Sequence, residues 1–83
     1  MKVNVNLYAS LSRYLPARAV QNRIELEMPE GTTPRDIMVE LNVPDGVCRL
    51  VLINGVYVVP SERATHALED GDTLAAWPPV AGG

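Results

Sequence analysis

Apolar and polar residues alternate without a break over positions 2–8, with Val3, Val5 and Leu7 on one side and Asn4, Asn6 and Tyr8 on the other. A period of two is that of a strand with one buried face. Positions 23–28 repeat it, with Ile24, Leu26 and Met28 inward and Arg23, Glu25 and Glu27 outward. Between the two, Leu11, Tyr14 and Leu15 stand at i, i+3 and i+4, which fits either a short helix stopped by Pro16 or a loop. Pro29-Glu30-Gly31 is turn chemistry, after which Thr33 suits an N-cap, Pro34 the first helical position and Asp36 the first turn. The helix predicted there carries one apolar stripe, Ile37, Met38 and Leu41, and Pro44 disfavours helix at Val43, so it runs for about two to three turns.

Strand signals then return. Positions 50–53 are apolar on both faces, Asn54-Gly55 is a strong hairpin signal, and positions 56–59 form the returning strand up to Pro60. Leu68-Glu69-Asp70-Gly71-Asp72 reads as a turn feeding a last strand over 73–77, which Pro78-Pro79 ends by removing two successive backbone donors. The order is strand, strand, helix, strand, strand, strand, and the helix is too short to cover more than one sheet face. This predicts an α+β fold: a four- or five-stranded mixed sheet packed on one helix, with the first and last strands as a parallel central pair, as in a β-grasp arrangement. The division is a domain over 1–77 and an extended tail over 78–83.

Length, at 83 residues, leaves room for one domain only. A hydrophobic fraction of 47% against 20% charged residues supplies a core and argues against disorder. One cysteine, Cys48, and one histidine, His66, allow neither an intrachain disulfide nor a Cys/His zinc set, so packing alone must hold the fold. No apolar run exceeds four residues, far below a membrane span, and the first residues show no signal-peptide pattern; a cytoplasmic protein is expected. The net charge of −3 disfavours nucleic-acid binding. Lys2, Arg13, Arg18 and Arg23 precede the first acid, whereas from Glu25 onward three arginines face ten acids. This weak dipole either steers an acidic partner to the first quarter or reflects scattered, solvated arginines.

Catalytic constellations are sparse. There is no phosphate-binding glycine loop and no pair of histidines. Cys48, beside Val47, reads as a buried, inert thiol rather than a nucleophile, and His66 as a surface loop residue. Glu69, Asp70 and Asp72 lack the remaining ligands of a calcium loop; no metal site is expected. The unusual feature is the ending, Trp77-Pro78-Pro79-Val80-Ala81-Gly82-Gly83, whose last six residues carry no charged side chain. Pro-Pro favours an extended chain, so those six residues reach roughly 18 to 20 Å beyond the sheet. Gly82 and Gly83 have no Cβ and fit a narrow channel, leaving the terminal carboxylate as the polar group at the tip. Gly83 is therefore the expected reactive centre, with Pro78, Pro79, Val80, Ala81 and Gly82 as the segment a partner binds.

The chain resembles the ubiquitin-like sulfur carriers of the MoaD/ThiS type, and among them the small subunits of molybdopterin synthase. The resemblance rests on the opening 3–11, on Val51-Leu52-Ile53-Asn54-Gly55 with Tyr57-Val58, on Leu68-Glu69-Asp70-Gly71-Asp72, and most specifically on Pro78-Pro79-Val80-Ala81-Gly82-Gly83. It departs at Ser10-Leu11-Ser12-Arg13 and over 60–65. The resemblance implies a β-grasp (ubiquitin-like) fold and a chain that is not catalytic alone. Gly83 would be adenylated by an E1-like, MoeB-type enzyme that uses ATP, with no cofactor bound to this chain. A sulfur donor protein would then convert it to a thiocarboxylate, and the tail would enter a MoaE-type large synthase subunit to deliver sulfur for molybdenum cofactor biosynthesis. Docking is expected on the sheet face, through one side of strand 51–53 and Trp77, although those side chains equally suit the core. Open alternatives are a carrier for thiamine or cysteine biosynthesis, a ubiquitin-like protein modifier, and a non-covalent β-grasp binding module.

Overall fold

The structure, a computed structural model, describes residues 1–44 and 46–79. Five strands, β1 (Lys2–Leu7), β2 (Arg23–Glu27), β3 (Leu50–Ile53), β4 (Val56–Tyr57) and β5 (Thr73–Trp77), form one sheet in the order β2-β1-β5-β3-β4. β1 and β5 are parallel, with Val5 opposite Leu74, and every other neighbouring pair is antiparallel. The expected parallel central pair is present, and with one main helix, α1 (Pro34–Glu40), the architecture is that of a mixed-sheet α+β fold.

Period-two patterning explains the core. Val3, Val5 and Leu7 of β1, Ile24 and Leu26 of β2, Val51 and Ile53 of β3, and Leu74 and Ala76 of β5 all face inward and are buried together with Ile37 and Leu41 of the helix segment. α1 begins as its sequence dictates. The Thr33 side chain accepts from the Asp36 N–H at 3.3 Å, and the Thr33 N–H donates to Asp36 Oδ2 at 3.0 Å, a reciprocal cap ahead of Pro34.

Local departures from the sequence reading have simple causes. The segment after β1 is a 3-10 helix over Ala9–Tyr14, whose tighter period puts Leu11 in the core and Tyr14 against it. β1 stops at Leu7, although the Tyr8 N–H still donates to the Ala76 carbonyl at 3.1 Å. β2 stops at Glu27, with Met28 held by the Met1 carbonyl at 2.8 Å. β4 is two residues long rather than four: Val58 turns inward, its N–H donating to Val51 at 2.9 Å, and Val59 opens a 3-10 turn over Pro60–Glu62. The Asn54-Gly55 turn is as expected, both residues having positive φ, 50° and 82°. Among the described residues no helix is long and apolar enough to cross a membrane.

Candidate functional site: the base of the tail and the surfaces beside it

β5, the strand that leads to the tail, is a central strand of the sheet, and its last two residues are fastened, one from each side. The Tyr8 N–H donates to Ala76 from the β1 side, and the Arg49 N–H donates to the Trp77 carbonyl at 2.8 Å from the β3 side. The Trp77 ring stacks on Tyr8 with centroids 4.6 Å apart and planes 15° from parallel. Pro78 is half-buried and Pro79 is exposed. The predicted residues Val80, Ala81, Gly82 and Gly83 lie outside the described residues.

Trp77 belongs to an apolar patch on the outer sheet face. Alternation sends Val51 and Ile53 into the core and leaves Leu50 and Leu52 outside; register then places Leu50 opposite Trp77, and Leu52 opposite both Ala75 and Tyr57. Leu50 is 37% exposed and Tyr57 49%. With Ala9, Pro78 and Pro79 these residues line an open depression of about 750 Å3. Of the predicted docking residues, Val51 and Ile53 are core and Leu52 and Trp77 face outward. Tyr8, Leu50 and Tyr57 escaped the sequence reading as contributors, yet their signal was there: each is an apolar or aromatic residue at an outward strand position or beside one.

Pro79, Arg49 and Tyr57 also border a second cavity, of about 540 Å3, between α1, residues 46, 48 and 49, β3 and the 3-10 turn after β4. Arg63 braces it, Nη1 donating to the Cys48 carbonyl at 2.8 Å and Nη2 to the Arg49 carbonyl at 3.2 Å. Cys48 is 8% exposed, with Sγ 3.6 Å from the Met38 sulfur. Burial pushes its thiol above the ordinary value and the Arg63 charge only partly opposes this, so the thiol stays protonated and a poor nucleophile, as its setting in the sequence suggests.

The remaining candidates are structural. Asp72 accepts from the Glu69 N–H at 2.8 Å and from Asn54 Nδ2 at 2.9 Å, and Asp70 accepts from the Lys2 N–H at 2.7 Å, so these carboxylates tie turns together. No group of three or more metal-binding side chains occurs among the described residues, and His66 is exposed. The arginines of the first quarter do not converge: Arg13 lies over Tyr14, Arg18 reaches the Glu25 carbonyl and Arg23 binds Asn6.

The fold and its exit strand have counterparts among known proteins. The chain aligns over its whole length with 87% of the Haloferax volcanii HVO 2177 protein, at 25% identity and a TM-score of 0.78. It aligns over 95% of its length with 98% of a putative molybdopterin converting factor, subunit 1, from Pyrococcus furiosus, at 27% identity and a TM-score of 0.66. A chain in the complex of subunits 1 and 2 of molybdopterin-converting factor from Helicobacter pylori matches over the full length of both, at 20% identity and a TM-score of 0.62, a likeness of fold. Among curated proteins none is similar enough in sequence to match. The ThiS family model matches residues 12–83, nearly the whole chain and including the Gly-Gly ending, and the protein therefore belongs to the ThiS family of ubiquitin-like, β-grasp proteins.

Proposed function

We propose that this protein is a sulfur carrier that works through Gly83, as the small, sulfur-donating subunit of a molybdopterin synthase. The observation that carries the reading is the match of the ThiS family model through Gly83, joined to an exit strand whose last two residues, Ala76 and Trp77, each accept a backbone bond, with a ring stack on Trp77. Consecutive prolines favour an extended backbone, so Pro78-Pro79 after this strand suits the delivery of a tail to a partner. Cys48 is buried and its thiol protonated, and in this reading the chemistry is left to the carboxyl end and to partner enzymes.

A carboxylate is a poor acyl donor because its charge is delocalised and oxide is a bad leaving group. In this reading an E1-like, MoeB-type enzyme lets a Gly83 carboxylate oxygen attack the α-phosphorus of ATP, releasing pyrophosphate and forming an acyl adenylate. The outer sulfur of a persulfide on a sulfur donor protein then attacks the acyl carbon, the acyl C–O bond breaks and AMP departs with that oxygen, and a second thiol cleaves the resulting acyl disulfide, leaving the donor as a disulfide and Gly83 as a thiocarboxylate. Held in a MoaE-type large subunit, that sulfur attacks the pterin precursor, and water then cleaves the acyl–sulfur bond, leaving the sulfur on the precursor and a carboxylate on Gly83. Pro78 to Gly82 would line the partner's channel, and the outer patch around Leu50, Tyr57 and Trp77 would be the docking face.

Incubation with an E1-like enzyme, ATP and a sulfur donor, followed by intact mass spectrometry, should show one oxygen replaced by sulfur at the C-terminus. An unchanged mass with an activating enzyme proven on another carrier would refute the proposal. The exposed apolar face also favours a second reading, a non-covalent binding module. Removing Gly82 and Gly83 separates the two: a carrier keeps its fold and loses all sulfur delivery, whereas a binding module keeps its partner and activity.

A further inference from the structure

The sheet has two outer edges, and the chain treats them differently. β2 sets a charged residue, Arg23, Glu25 or Glu27, at each of its exposed positions, the usual guard of an edge strand against unwanted pairing. β4 has no such guard: positions 50–61 hold no charged side chain, and Val56 is 68% exposed and Tyr57 49%. Its backbone is open as well. The Val58 N–H donates to Val51 at 2.9 Å, so by the alternation of an antiparallel ladder the next pair, Leu52 and Tyr57, exchanges no bonds, and the Tyr57 N–H and carbonyl point away from β3. β4 is the last strand of the sheet, and no turn or loop bond among the described residues uses either group.

The two faces of this edge differ in character. Tyr57 stands opposite Leu52 on the outer face, where it borders the 750 Å3 depression. Val56 stands opposite Ile53 on the other face and borders a hollow of about 380 Å3 that Glu62, His66, Glu69 and Asp72 also line. Asp72 is taken up by the Glu69 N–H and Asn54, whereas Glu62 and Glu69 form no ion pair among the described residues. None of the seven lysines and arginines lines the hollow, and positions 45 and 80–83 include no lysine or arginine. A segment that pairs with this edge therefore meets apolar surface on one face and carboxylates on the other. A second copy of the chain suits it poorly, because joining two β4 edges would bring two acidic hollows together.

We propose that the β4 edge takes an extended segment of a partner protein as a sixth strand, one whose side chains alternate between apolar and basic. The partner's backbone pairs with the Tyr57 N–H and carbonyl. Its apolar side chains lie beside Tyr57 on the outer face, and its lysines or arginines lay their stems along Val56 and bring their charges to Glu62 and Glu69. The site is separate from the Gly83 chemistry and stands whether or not the tail carries sulfur.

The test is a titration of the full-length, nitrogen-15-labelled protein at near-physiological salt with a short capped peptide of alternating valine and lysine, read as amide shifts. Saturable shifts should centre on Val56, Tyr57, Glu62 and Glu69, with a dissociation constant of about 1 mM or below. The same peptide with glutamate in place of lysine should leave these amides unmoved. The valine–lysine peptide N-methylated at every residue should bind about tenfold more weakly, the loss of its backbone pairing. Glu62→Gln combined with Glu69→Gln should weaken the unmodified peptide about three- to tenfold, and Glu25→Gln on the opposite edge should not. Tyr57→Pro removes the outward N–H at an edge position, where proline is tolerated, and should weaken binding as N-methylation does; if that variant does not fold, the methylated peptide decides the matter. No saturable response to the valine–lysine peptide, equal affinity of its methylated form, equal affinity in the double glutamine variant, shifts centred on Glu25 and Glu27, or a concentration-dependent dimer paired through Tyr57 would each overturn the proposal.

Discussion

At Cys48 two opposing effects meet, and burial wins over the neighbouring Arg63 charge, leaving the thiol with a raised pKa. The sign for stability follows. At neutral pH the thiol is protonated in folded and unfolded chains alike and contributes no pH dependence. As pH rises past the ordinary thiol range, the unfolded chain loses its proton first, the folded chain binds more protons, and stability falls. Urea titrations from neutral to alkaline pH should show a decline that Cys48→Ala flattens; an equal decline in the variant would assign it to other groups. In the native protein the same thiol should react with iodoacetamide far more slowly than in the unfolded chain, because little thiolate forms and 8% of the residue is accessible.

At the scale of elements, α1 is only seven residues long and depends on its first turn. Short helices are marginal without capping and tertiary packing. Thr33→Ala removes the acceptor for the Asp36 N–H and should lower stability by about 1 kcal/mol, within a range of roughly 0.5 to 2. In a domain of this size that amounts to a fall in Tm of about 4 to 8 °C per kcal/mol, measurable by calorimetry. The β3–β5 pair makes a different prediction because its two faces have different duties. Leu50 lies on the outer face and is partly exposed. Leu50→Asp should leave the melting temperature within a few degrees and abolish complex formation with a large synthase subunit on size-exclusion chromatography. Retained complex formation would remove the patch from the docking surface.

Across the whole molecule, one small core supports everything. Leu74 is fully buried on β5, opposite Val5 on one neighbour and Ile53 on the other. Leu74→Ala should cost about 2 to 5 kcal/mol, against a total of about 5 to 15 kcal/mol for an ordinary domain, so the unfolding midpoint in urea should fall sharply or the cooperative transition vanish. A loss under about 1 kcal/mol would mean that the centre of the sheet is less tightly packed than its burial indicates. The same central strand leads to Pro78-Pro79, so on the proposed function core damage would reach the tail through one element. Sulfur loading of a folded Leu50→Asp variant and of a Leu74→Ala variant therefore separates docking from integrity.

Much of this was legible along the chain because period, caps and turn residues act locally. The alternation at Val3-Val5-Leu7 and Ile24-Leu26, the Thr33-Pro34-Asp36 start of α1 and the Asn54-Gly55 hairpin are each decided by a few neighbouring residues, and each appears in the structure. The Gly-Gly ending, too, is a property of sequence alone. Strand ends were less legible, since Val58 pairs one bond further and then turns inward to fill the core, a choice made by distant Val51 rather than by Val58 itself. Which side of the apolar strand 50–53 meets the core was undecidable from its residues, as both sides are apolar; the register with β5 decided it. The acidic hollow beside β4 was invisible for the same reason. Val56 and Tyr57 read in sequence simply as part of a strand, and only the order of the sheet leaves them on its edge, beside Glu62 and Glu69. Local pattern is set by short-range sterics and hydrogen bonding, whereas the meeting of distant side chains is set by how the core closes.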